Sequence, residues 1–259
     1  ATMVLTVACM LRVWRTVKTP PRRTTTGFWA DFRQGISFLR QHSGITVLMA
    51  LITVVTFCMG FLQTLLTPML LDLTDESTLG AVRSVAAVGM IVASLIIGVF
   101  NMKGTHLTYI TCFLAAGGVL IFLLGTTTSI LAIGVLAFAF FMTLPPLNTS
   151  VEVIARSSIP NETQGKVWGL MGLISQLGYV VAYAVSGVLA DSVFNPLLRE
   201  GGALADSLGA LIGVGTSRGI GFMLMIVGVL LIGMAVAIPR ARSIRSLQSN
   251  LPLTEKKGV

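Results

Sequence analysis

The chain has 259 residues, of which 54% are hydrophobic and only 11% charged, and its mean hydropathy is +0.88. Soluble domains carry charge at roughly a quarter of their positions, so this composition excludes a water-soluble domain and places most of the chain in a bilayer. The net charge of +8 does not point to nucleic acid, because the basic residues sit in short segments between apolar runs and form no continuous basic face.

The sequence opens in an apolar run, Ala1 to Leu11, followed by Arg12, Arg15, Lys18, Arg22 and Arg23. A signal peptide places its basic region before the apolar one, and the order here is the reverse. Residues 1–11 therefore read as the end of a truncated transmembrane helix and residues 12–43 as a basic cytoplasmic linker. Within the linker, Phe28, Trp29, Phe32, Ile36 and Leu39 share a helical face that Asp31, Arg33 and Arg40 avoid. That pattern suits either a helix lying on the lipid surface or a plain linker helix between two bundles.

Residues 44–238 then hold six apolar segments, Gly44 to Leu71, Leu79 to Phe100, Leu107 to Gly125, Ile130 to Ala155, Val167 to Ala190 and Ile220 to Ile238. Each is long enough to cross a bilayer as a helix, the one open-chain structure that satisfies its own backbone there. The fold class expected is thus all-α, a polytopic membrane bundle of six transmembrane helices. The first and fourth segments exceed the minimum length, which implies tilt, a kink or extension beyond the bilayer. The connection from Asp191 to Ser217 has Leu204, Leu208, Leu211 and Ile212 at helical spacing and is expected to cap one end of the bundle. Residues 239–259 form a basic tail.

Fifteen of the 18 Lys and Arg residues fall in the linker, the second and fourth connections and the tail, whereas Asp72, Asp75, Glu76, Asp191, Glu200 and Asp206 lie at the other end. Basic residues accumulate in cytoplasmic loops. Both termini are therefore expected in the cytoplasm, in a multi-pass protein of the plasma membrane whose first partner is the lipid bilayer.

Polar groups inside a bilayer cost free energy and tend to face a bundle interior or a wet path. In the first span Thr53, Thr56, Gly60, Gln63 and Thr67 recur every three or four residues, a stripe that either lines a path or packs helices through small and hydroxylated residues. The fifth span repeats the pattern with Gln176, Tyr179, Tyr183 and Ser186, where either the rings stack an apolar solute and the amide orients it or the tyrosines anchor the helix at the membrane interface. In the fourth span Pro145 and Pro146 remove backbone donors, and Asn148 and Glu152 follow on one face. Glu152 is either a proton carrier with a raised pKa or the ion-pair partner of Arg156, four residues on. Arg83, about one turn into the second span, either binds an anionic solute, pairs with Asp75 or Glu76, or snorkels to the surface.

Cys9, Cys58 and Cys112 lie in apolar runs without neighbours at ligand spacing, which indicates buried small hydrophobes and neither a disulfide framework nor a metal site. The run Gly215 to Gly221 lacks the ending of a phosphate loop and follows no strand. No cofactor is implied, and no nucleophile and base stand together, so the chain does not read as an enzyme.

Three stretches carry a resemblance: the basic linker with Trp29 to Arg40, the connection Ile159 to Val167, and Ser217 to Gly221 entering the last span. With the count of six spans, the chain resembles the C-terminal half of a major facilitator superfamily transporter, and is similar to the drug:proton antiporter branch with its macrolide-efflux permeases. Gly98, Asn101, Lys103 and Gly104 are a degenerate form of the family's cytoplasmic loop motif without its Asp, and Gln164 stands where related connections often have Arg. The resemblance implies a second, N-terminal six-helix half missing from this chain, a solute path between the halves, and alternating access by rocking. The expected activity is secondary active, proton-gradient-driven efflux of amphipathic small molecules, cationic or neutral. Thr56, Gln63, Asn148, Gln176, Tyr179 and Tyr183 are the expected lining, and Glu152, Arg156 and Arg83 the possible proton or ion-pair residues. An importer of a nutrient and a non-transporting membrane scaffold are the alternatives.

Overall fold

The computed structural model describes Arg12 and residues 27–99, 105–199, 201–206, 208–209 and 213–240. The apolar start at 1–11, most of the linker before residue 27, the loop residues Asn101, Lys103 and Gly104, the pair Leu211 and Ile212, and the tail beyond 240 lie outside the described residues. Everything regular in the described part is helical: α1 Phe28–Gln41, α2 Ser43–Leu73, α3 Glu76–Val99, α4 His106–Thr126, α5 Ile130–Ser158, α6 Asn161–Leu189, a π turn Ala190–Phe194, the short α7 Asn195–Leu197, α8 Thr216–Ala237 and a closing 3₁₀ turn Ile238–Arg240. Among the described residues, six helices are long and apolar enough to cross a membrane.

The apolar runs locate the spans but not their ends. Helix α2 has 31 residues and α5 and α6 have 29 each, so α2 is about 46 Å long against a hydrocarbon core of about 30 Å. In α2 nearly all of that length is apolar, the helix adding only Ser43, Asp72 and Leu73 to the run from Gly44 to Leu71, whereas α6 gains its length from polar sequence that stays helical. In α6 the helix begins at Asn161, after Pro160 as its N-cap. Most of the stretch expected as a connection, Ile159 to Val167, is therefore the first turns of a helix. Helix α3 begins at Glu76 because the Asp75 carboxylate caps it, accepting from the Thr78 amide at 3.1 Å and the Thr78 hydroxyl at 2.5 Å. Those bonds, that from the Thr78 hydroxyl foremost, hold the carboxyl below its usual range.

Short connections at Thr74–Asp75 and 127–129 make sequence neighbours antiparallel, yet close contacts join helices distant in sequence. Helix α2 runs parallel to α6, α3 lies on α5, and α4 lies antiparallel to α8. Glycine marks each contact. A Cβ on Gly178 of α6 would sit 2.6 Å from the Thr53 carbonyl oxygen of α2, and one on Gly60 of α2 would sit 2.6 Å from the Ala182 Cβ. A Cβ on Gly89 of α3 would collide with the Phe138 carbonyl of α5. On α4 and α8 the match is reciprocal, with Gly118 against Gly228 and Gly125 against Gly221. Between these pairs lies the main core, in which Leu48, Leu51, Leu65, Leu70, Ile110, Ile121 and Ile133 are fully or almost fully buried.

Two satellite clusters close the ends. At the end where α2 and α6 start, Leu39 of α1 packs with Ile45, Ala155, Ile159, Val167 and Leu170, with Phe32 and Ile36 against them. The apolar face of α1 is thus spent on protein, which supports the linker-helix reading over a lipid-lying one. Trp29 leaves that face and is 77% exposed. At the other end Leu198 is fully buried beside Met225, with Leu204, Leu208, Phe122 and Phe222 packed around them, so the connection after α6 caps the α4–α8 pair. Cys58 is buried, but Cys112 is exposed on α4, because it falls on the face of that helix turned away from α5 and α8. Cys9 lies outside the described residues.

Two predictions follow from these contacts. Gly125→Ala and Gly178→Ala each place a methyl group on a neighbouring backbone, at an expected cost of about 1–3 kcal/mol, whereas Gly134→Ala, with nothing within 4 Å of its Cβ, is neutral or slightly stabilising. Thermal unfolding of the full-length protein in detergent checks this, and equal midpoints for all three refute it. Because the folded state lowers the Asp75 pKa, its cap stabilises above the ordinary carboxylate range and is lost as pH falls through the depressed value. The midpoint deficit of Asp75→Ala at neutral pH should therefore shrink as the medium is acidified; a deficit independent of pH argues against the cap.

Candidate functional site

The polar stripe on α2 divides into two parts. Toward the start of the helix its groups are consumed by packing: the Thr53 hydroxyl donates to the Met49 carbonyl at 2.9 Å. The half-buried Thr56 hydroxyl lies within 2.9 Å of the Thr53 carbonyl and within 2.8 Å of the Ser175 carbonyl across the contact with α6. Thr56 therefore ties α2 to α6, and its hydroxyl is occupied. Gly60 follows, set against Tyr179 and Ala182.

Beyond Gly60 the stripe opens. Gln63 is exposed, and its Oε1 accepts a hydrogen bond from the Tyr183 hydroxyl of α6 at 3.1 Å. Tyr179, half-buried against Gly60, lies one turn earlier with its ring centroid 5.9 Å from that of Tyr183. Gln176 lies a further turn back, exposed on the same side of α6. Four residues past Gln63, the Thr67 hydroxyl accepts from Nη2 of Arg83 of α3 at 2.6 Å. The α6 stripe does not extend to Ser186, which is wholly buried and whose hydroxyl has no hydrogen-bond partner among the described residues.

The structure thus brings together Gln63, Tyr179, Tyr183 and, one turn on, Arg83. It does not bring Asn148 to them. Asn148 is exposed on α5, on a face shared with Glu152 and Arg156, and no hydrogen bond links it to Gln63 or Tyr183. Glu152 and Arg156 are paired at 3.6 Å, each more than half exposed, and the Arg156 guanidinium stands 5.9 Å from the centre of the Trp168 ring of α6. This is the ion-pair alternative for Glu152. For Arg83 the expected pairing with Asp75 or Glu76 is not found among the described residues; Oδ1 of Asp75 accepts from Thr78 and Thr74, and Arg83 donates to Thr67. Arg83 lies seven residues, about 10 Å, from the start of α3 and about one turn past Leu79, where the apolar run begins.

The open stripe is bordered by apolar surface. Helices α3 and α6 carry rows of exposed side chains, Val85, Val88, Ile91 and Leu95 on one and Leu173, Leu177, Val180 and Val188 on the other. Between α3 and α5 the surface dips into a shallow apolar groove lined by Ala87, Met90, Ile91, Ser94, Leu95 and Phe141. The two cross-helix bonds, Tyr183 to Gln63 and Arg83 to Thr67, were not evident in sequence. Both need the rotation of α2 against its neighbours, which Gly60 and Gly178 set and which no single-helix periodicity reveals.

No curated protein and no solved structure matches the chain. The family described as Major Facilitator Superfamily matches it over residues 1–183 of 259. That match spans the linker, α1 to α5 and α6 as far as Tyr183, the helices that carry the stripe and its neighbours. The chain is a multi-pass helical membrane protein that belongs to the major facilitator superfamily, a family of secondary membrane transporters.

Proposed function

We propose that the chain forms one half of an exporter of amphipathic small molecules, driven by the proton gradient and completed by an N-terminal six-helix half. The observation that carries this reading is the Gln63–Tyr183 bond with Tyr179 beside it, set in an otherwise apolar surface. Two aromatic rings offer stacking area to an apolar body, and an amide and a hydroxyl give one place where a polar group is oriented. A site built this way recognises amphipathicity more than a particular functional group, which suits a drug or macrolide better than a heavily charged nutrient.

Coupling carboxylates are scarce here, since Glu152 is exposed and paired with Arg156. We therefore assign proton binding to the opposite half, with this half supplying the tyrosine wall. In this reading the basic end of the bundle, where α1 packs, faces the cytoplasm of a plasma-membrane protein. Alternating access comes from rocking of the two halves about the path.

Cells expressing the full-length gene should accumulate less of a fluorescent amphipathic dye than control cells, and a protonophore should abolish the difference. No difference for several unrelated dyes would refute export. Tyr183→Phe keeps the ring and removes the donor to Gln63; a hydrogen bond of about 0.5–1.5 kcal/mol predicts a twofold to tenfold loss in transport at unchanged protein level. Tyr179→Ala removes stacking area and should alter the ranking of dyes. Unchanged rates and ranking in both variants would return the tyrosines to a packing role.

A further inference from the structure

Arg83 is a charged side chain about one turn inside the apolar part of a membrane helix, and such residues carry a cost that usually marks a function. Its cheapest resting place is the near end of the bundle, where Asp75 and Glu76 lie. It does not go there. The guanidinium turns to α2 and donates from Nη2 to the Thr67 hydroxyl at 2.6 Å, while Oδ1 of Asp75 accepts from Thr78 and Thr74. Thr67 is the next turn of the stripe after Gln63, about 6 Å along the axis, so the cation stands at one end of the tyrosine wall.

A guanidinium has five N–H donors, and the bond to Thr67 uses one of them. Arg83 is exposed, and no carboxylate pairs with it among the described residues. Of the other charges in the described spans, Asp72 and Glu76 stand at the adjoining ends of α2 and α3, Asp191 lies past the end of α6, Glu152 and Arg156 pair with each other, Lys166 donates to Gln34 of α1 at 2.7 Å, and Arg218 stands at the start of α8. Among the described residues Arg83 is the charged side chain hydrogen-bonded to the stripe itself, and its charge is positive. A planar donor fork is matched by a carboxylate, which it holds through two parallel bonds.

We propose that Arg83 selects the charge of the solute: the ligand is an amphipathic monoanion whose carboxylate docks on Arg83 while its apolar body lies along Tyr183 and Tyr179. This rests on the stripe being the solute path, and it replaces the cationic preference expected from the sequence. The test is equilibrium binding of two dyes with one fluorophore and opposite charge, dansylglycine as the carboxylate and dansylcadaverine as the ammonium, to the full-length protein in nanodiscs.

The native protein should bind dansylglycine at least tenfold more tightly than dansylcadaverine. Arg83→Gln should abolish that preference by weakening dansylglycine alone, and Arg83→Lys should keep part of it. Retained dansylcadaverine binding in Arg83→Gln shows that the variant is folded and its path intact. A native protein that prefers the cation or binds neither dye, or an Arg83→Gln variant with unchanged dansylglycine affinity, overturns the proposal. Failure of protonophore-sensitive export with the binding preference intact would remove the export reading and leave the charge selection standing.

Discussion

Backbone-to-backbone contact at glycine is the constraint from which the rest of this bundle follows. In lipid the hydrophobic effect does not drive helices together, because an acyl chain is as apolar as leucine. Association then depends on close approach, and close approach depends on where a side chain is missing. Gly118 and Gly125 on α4 are seven residues apart, as are Gly221 and Gly228 on α8, and the antiparallel pairing sets each against its counterpart. Two turns of each helix are thereby fixed in register without a polar bond.

The α2–α6 pair uses the same device to place chemistry. Gly178 accepts the backbone of α2 at Thr53, and Gly60 accepts α6 at Tyr179 and Ala182. The Thr56 hydroxyl, within 2.8 Å of the Ser175 carbonyl, adds a polar tie at the same level. With both helices parallel and pinned there, the next turn brings Gln63 beside Tyr183. The packing half of the stripe and the exposed half are therefore one construction: the first fixes the rotation that makes the second possible. A stripe that periodicity presents as one feature divides in two, packed against α6 from Thr53 to Gly60 and exposed from Gln63 on.

What was legible in the sequence follows this physics. The six spans were, because about 20 apolar residues in a row have few other fates. The buried face of α1 was visible in Phe32, Ile36 and Leu39, although what covers that face was not, since protein and lipid demand the same residues. Helix ends were misplaced where polar residues continue a helix beyond the apolar run, as from Asn161 to Lys166. Of the glycines that matter, Gly60 stood in the α2 stripe with packing as one of its readings, whereas Gly89, Gly118, Gly125 and Gly178 were not singled out, because only their partners on other helices distinguish them.

Helix α6 connects the two ends of the molecule. It continues through the π turn at Ala190–Phe194 into α7 without a break, it carries the tyrosines along one edge, and near its start Lys166 and Leu170 hold Gln34 and Gly35 of α1. A helix of this length moves nearly as a rod, so a tilt of α6 against α2 that separates Tyr183 from Gln63 must also shift α1 or break its contacts. The glycine notch at Gly60 and Gly178 lies between these two points, and a Cβ at either residue would meet the facing helix at 2.6 Å. The feature that fixes the resting register thus also opposes sliding of α6 along α2, because sliding would bring side chains into a contact that only glycine fits.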